Sequence, residues 1–233
     1  MLAETTTLQA LGEPLGARIL SGIVHELGGV LFVMRLRLES LERALPPVAR
    51  EDVAALQRVR AQIEELVDAL NLLRPHPHTT DSERLGPESW TLESWWKRVA
   101  PVVRFMLPRD AELKASLPAF PLTSVSPSGL AQSVVLLLGS LLSGGRPSPA
   151  GEVRAVEVDA VGDMRGGKLE LRIRGRMAGE EHRNFGPASG LLSAARRVVR
   201  QQGGRVATYP GPTGPLFVLT LQCDAREAAM ERA

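Results

Sequence analysis

The feature that most constrains this chain is the stretch from 17 to 45, ARILSGIVHELGGVLFVMRLRLESLERAL, where Leu20, Val24, Leu27, Leu31, Met34, Leu38, Leu41 and Leu45 alternate spacings of four and three. That repeat keeps one seam aligned on a helix of 3.6 residues per turn, so the segment predicts a long helix packing against other helices. Ile23 and Val30 widen the stripe toward the face that a four-helix bundle needs. The helix is expected to begin near Glu13 or Pro14 and to end at Pro46-Pro47, which cannot continue it. From about Asp52 a second stripe follows, Leu56, Val59, Ile63, Leu66, Leu70 and Leu73, stopping before Pro75. The two read as an antiparallel helical hairpin. Two helices alone cannot enclose that much apolar surface, so two chains are expected to pair their hairpins as a homodimer.

His25 stands one residue, about 100° of rotation, beyond the seam residue Val24, and should reach solvent. Three and four residues away lie Ser21, Gly22, Gly28 and Gly29, followed by Phe32, so the imidazole overlooks a surface almost bare of side chains. Each glycine inside a helix costs about 1 kcal/mol relative to alanine, and something must offset three of them. Either a partner protein approaches His25 closely or another helix packs tightly there.

Residues 75–88, PHPHTTDSERLGPE, read as a proline-rich polar linker. His76 and His78 within it lack an accompanying carboxylate or cysteine cluster and read as solvated. From Ser89 the pattern is mixed. A short strand at 90–92, a helix at 93–106, strands at 112–117 and 121–125 and an apolar helix at 128–143 lead into alternating strands at 152–160 and 168–174. A helix at 189–202, a Gly203-Gly204 stop and strands at 205–209 and 216–222 close the pattern, and 224–233 reads as a frayed tail. The expected class is α+β, with a hairpin unit at 1–74, the linker, and a helix-and-sheet sandwich at 89–223.

Composition excludes several alternatives. A net charge of +2 over 233 residues gives no ground for a nucleic-acid partner. The single cysteine, Cys223, rules out an intramolecular disulfide and fits a reducing compartment. The N-terminal stretch MLAETTTLQALGEPLG has no signal-peptide pattern, and no apolar run approaches the ~20 residues that cross a bilayer. The expectation is a soluble cytoplasmic protein without a membrane partner. With no sensor segment before the first helix, its input is expected to come through another protein.

These segments together resemble the core of a sensor histidine kinase, a dimerising hairpin followed by an ATP-binding domain of the Bergerat or GHKL type. His25-Glu26-Leu27 resembles the phosphorylatable H-box. Ser189-Gly190-Leu191-Leu192, running on through Val199 to Gly203-Gly204, resembles the G2 helix and its end, and Gly211-Pro212-Thr213-Gly214-Pro215-Leu216-Phe217 resembles the GxGTxF turn and last strand. The resemblance covers residues 15–222 and implies that His25 accepts a phosphoryl group.

The polar ligands of the nucleotide site depart from this pattern. The two N-box asparagines, one of which would help hold Mg²⁺, fall on Leu136 and Ser140. The adenine-reading DxGxG segment falls on Gly175-Arg176-Met177-Ala178-Gly179, where Gly175 offers no carboxylate and Met177 replaces a glycine. The glycine-rich phosphate loop is reduced, and only a short stretch remains for a lid. Phosphoryl transfer from ATP depends on such positioning and charge neutralisation. The resemblance therefore implies a degenerate ATP domain with no nucleotide or metal cofactor of its own.

Such a chain can still exchange phosphate between His25 and aspartates of response-regulator receiver domains, the receiver supplying Mg²⁺. Glu26 is expected to orient the imidazole, and Ser21, Gly22, Gly28, Gly29, Phe32 and Arg35 to admit and contact the receiver, with a hybrid histidine kinase as a further partner. The alternative is a non-catalytic pseudo-histidine-kinase that acts as scaffold or inhibitor. Phosphatase activity has less support, because the position four residues after His25 is Gly29, which presents no side chain to a water.

Overall fold

The computed structural model describes residues 15–44, 50–74, 90–122, 125–143, 153–163, 167–177 and 189–223. The expected linker with His76 and His78, the Pro46-Pro47 turn, Gly179 and the tail lie outside the described residues. The chain is α+β. Helices α1 (Leu15–Ala44) and α2 (Arg50–Leu72) form the expected hairpin, followed by α3 (Leu92–Met106), β1 (Glu112–Ser116), α4 (Pro127–Ser143), β2 (Val153–Asp163), β3 (Lys168–Met177), α5 (Ser189–Gln201), β4 (Arg205–Pro210) and β5 (Pro215–Gln222). No described helix is long and apolar enough to cross a membrane.

The five strands form one sheet in the order β1-β2-β3-β5-β4, parallel between β1 and β2 and antiparallel elsewhere. Period-two alternation sends Leu169, Leu171 and Ile173 of β3 and Phe217, Leu219 and Leu221 of β5 to one face, all fully buried. Each such side chain contributes about 1.5–3 kcal/mol of burial. Helix α4 is apolar on every side, and twelve of its seventeen residues are buried, because it is enclosed between the sheet and its helical neighbours. The opposite sheet face carries cross-strand charges, with Glu157 opposite Arg174 and Asp159 opposite Arg172.

Two expected strands shrink to a single bridge, Thr91 to Pro121. Thr91 is committed to the N-terminus of α3 instead: its Oγ1 accepts from the Ser94 backbone N–H while Ser94 Oγ accepts from the Thr91 N–H, each at 3.1 Å. Pro118 and Pro121 on the other side have no N–H to extend a ladder. Among the described residues the segments are joined by Leu92 N–H to the Phe120 carbonyl and Leu122 N–H to the Trp90 carbonyl, both at 2.7 Å.

The hairpin is fastened to the sandwich through the start of α4. Ser128 Oγ donates to the Arg74 carbonyl at 3.2 Å, and Gln132 Nε2 donates to the Leu73 carbonyl at 3.1 Å. These bonds satisfy carbonyls left open where α2 ends. Trp95 Nε1 donates to the Pro127 carbonyl at 2.9 Å and so ties α3 to the same turn. Beside this junction Leu27, Leu31, Leu66, Leu70, Val102 and Phe105 enclose an apolar gap of about 110 Å³ between the hairpin and α3.

Candidate functional site

Helix α1 presents three faces. Val24 and Leu31 are buried and Leu27 and Leu38 half-buried, which fixes the side turned toward the rest of the chain. Val30, Met34 and Leu41 are 56%, 45% and 53% exposed, so the seam expected to be buried is covered along only part of its width by the single chain. A third face carries His25, which is exposed. Phe32 and Leu36, seven and eleven residues on, return to within about 20° of the same line and are 58% and 46% exposed. Leu36 was not among the residues expected from sequence, although an apolar residue four beyond Phe32 and off the seam was the signal for it.

Of the residues expected to surround His25, Gly22 and Gly29 are exposed and Gly28 half-buried. A Cβ built at any of the three meets nothing within 4 Å, so no contact among the described residues requires these glycines. A shallow groove beside the imidazole is lined by His25, Glu26, Gly29, Val30, Val33, Met34 and Arg37. Among the described residues neither His25 nor Glu26 has a side-chain hydrogen bond or ion pair. Arg35 is half-exposed and donates from Nε to Glu39 at 3.2 Å. Ser21 belongs to α1, but its side chain lies outside the described residues.

The positions that the resemblance assigns to a nucleotide lie in the sandwich. Leu136 and Ser140 are 2% and 0% exposed within α4, and Ser140 already has a bonding partner. Gly175 is buried on β3, where a Cβ would stand 2.6 and 2.9 Å from the two δ-carbons of Leu141. Its carbonyl abuts Gly214, whose φ of +150° and contact with that oxygen leave no room for a side chain. Met177 is half-buried and donates its N–H to the Thr213 carbonyl at 3.0 Å, closing the turn onto β3. At these assigned positions an isobutyl group occupies the space beside residue 175, and none of 136, 140, 175 or 177 carries a carboxylate or amide. Among the described residues no cluster of three His, Cys, Asp or Glu is placed to hold a metal.

No family model matches this sequence, and no curated protein matches it. Solved structures to which the chain is similar include the Erythrobacter litoralis EL346 blue-light activated histidine kinase, at a TM-score of 0.46 and 13% identity over 90% of this chain and 61% of that one. The ATP binding domain of PrrB from Mycobacterium tuberculosis gives a TM-score of 0.44 and 18% identity over 58% of this chain and 96% of that one. Acinetobacter baumannii histidine kinase AdeS gives 0.45 and 14% over 86% and 98%. The chain therefore spans less than two thirds of the first of these proteins.

Proposed function

We propose that this protein is a histidine phosphotransferase of a two-component relay, exchanging a phosphoryl group between His25 and an aspartate of a receiver domain without binding ATP. The observation that carries the reading is the exposed imidazole on a face cleared by Gly22, Gly28 and Gly29, which no packing among the described residues explains. A partner that must bring an acyl phosphate to the ring gives those glycines a purpose. Exposed Phe32 and Leu36 supply apolar contact below the imidazole.

In the exchange a lone pair on a neutral imidazole nitrogen forms the N–P bond, and the aspartate carboxylate leaves with the electrons of the broken P–O bond. The partner's acidic pocket supplies Mg²⁺, so this chain contributes the nucleophile and the surface on which the partner seats. The exposed stripe of Val30, Met34 and Leu41 supports pairing of two hairpins into a homodimeric four-helix bundle.

The test is incubation with receivers phosphorylated on aspartate, followed by measurement of acid-labile label on the chain. Label that disappears in His25→Ala supports relay. Tight receiver binding with no label on the chain supports the pseudokinase scaffold and overturns the relay.

A further inference from the structure

Strand β5, PLFVLTLQ, is apolar at almost every position, the pattern of a strand covered on both faces. Its inward residues Phe217, Leu219 and Leu221 are buried in the core, but Leu216 and Val218 point the other way, onto the open face of the sheet. Neighbouring strands treat that face as solvent: β2 and β3 fill it with Glu157, Asp159, Glu170, Arg172 and Arg174. Apart from Val161 of β2, its described apolar residues lie over β5 and β4. There Leu216 and Val218 form the floor of a trough of about 430 Å³, with Tyr209, 52% exposed, at one end.

The rim of the trough is cationic. Arg172, Arg174 and Arg205 line it, and its one acid, Glu170, is neutralised by Lys168 at 2.7 Å and Arg172 at 3.4 Å. Arg174 is shared with Glu157 at 3.4 Å, but Arg205 has no carboxylate partner among the described residues. Charge is also segregated along the sequence, although of the arginines at 182–223 only Arg205 lines the trough. Residues 182–223 contain five arginines and no aspartate, glutamate or lysine, in a chain whose total charge is only +2.

We infer that the open face of β4 and β5 is a docking site for an acidic, apolar-anchored segment of a partner protein, with carboxylates on Arg172, Arg174 and Arg205 and aliphatic side chains on Leu216 and Val218. A nucleic acid would satisfy the arginines but gain nothing from an aliphatic floor. A protein segment uses both, and arginine with tyrosine is the composition that dominates such contacts. This site lies on the sheet, independent of His25.

The experiment is fluorescence anisotropy of the full chain with four labelled probes: a short peptide alternating glutamate and leucine, one alternating lysine and leucine, oligoglutamate, and oligothymidylate. Saturable binding of the glutamate-leucine peptide is expected, weakening between about 0.05 M and 0.3 M salt as surface charges are screened. Arg205→Glu and Tyr209→Ala, both at exposed positions, are each expected to weaken it about tenfold. Arg154→Glu, an exposed charge change on β2 away from the trough, should leave it unchanged. Equal binding of the lysine-leucine peptide or of oligothymidylate would overturn the proposal, as would a glutamate-leucine affinity that Arg205→Glu does not change. Self-association through this face, seen by sedimentation and abolished by Val218→Asp, would also overturn it in favour of a second copy.

Discussion

Replacing Gly22, Gly28 and Gly29 together by alanine separates stability from docking in one variant. The added methyl groups meet nothing within 4 Å among the described residues, so no steric penalty from them opposes the gain in helix propensity. Each substitution recovers up to about 1 kcal/mol, and the three together about 2–3 kcal/mol. For a chain of this length about 1 kcal/mol corresponds to 2–4 °C in Tm, so a rise of roughly 5–10 °C is expected by calorimetry or circular dichroism. Label exchange with a phosphorylated receiver should fall in the same variant, because three methyl groups now stand between the partner and the imidazole. A Tm that drops, or a dimer that dissociates, would mean that the glycines admit a helix rather than a receiver. The cleared-face reasoning would then fail at its first step.

Three further outcomes follow from the same structure. Gly175→Asp should lower stability by about 3 kcal/mol or more, since it drives a carboxylate into Leu141 within the core; thermal melts test this, and the double variant with Leu141→Ala should recover part of the loss. Val30→Glu with Met34→Glu should convert the proposed dimer to a monomer by sedimentation equilibrium while leaving the hairpin helical, as both positions are exposed in the single chain. The Glu170 carboxyl is held below its ordinary value, chiefly by the hydrogen bond from Lys168. Its stabilisation is thus present above the unfolded value, about 4.3, and is lost as pH falls through the lower folded value. Glu170→Gln should therefore be less stable than the parent in urea melts at neutral pH, and the gap should close in acid; a gap constant across pH would refute that origin.

Much of the architecture was legible because it rests on periodicity. Spacings of three and four placed α1 and α2 within a few residues, and alternation placed β2, β3 and β5. Two expected strands failed because alternation does not record that Thr91 is spent on capping a helix or that Pro118 and Pro121 cannot donate. The order of the strands has no local trace, and neither do the bonds from Ser128 and Gln132 to the end of α2, which join residues more than fifty positions apart.

At the site, the exposure of His25 followed from one residue of phase relative to Val24. That part of the stripe would stay uncovered by one chain followed from its width, but that Val30 and Met34 are among the residues left exposed required coordinates. At position 175 the sequence showed that a carboxylate is absent, whereas the side chain beside that position, Leu141, lies thirty-four residues away and required coordinates.

The lodging of Leu141 against Gly175 also makes the two positions hostage to one another. An aspartate arriving first at 175 has nowhere to go, and a smaller residue arriving first at 141 leaves a void that costs about 2–5 kcal/mol. Neither order of single steps is neutral, so a carboxylate at this point of the sheet is reachable only across a valley of weakened intermediates. Engineering that seeks to install base recognition here must change both residues at once.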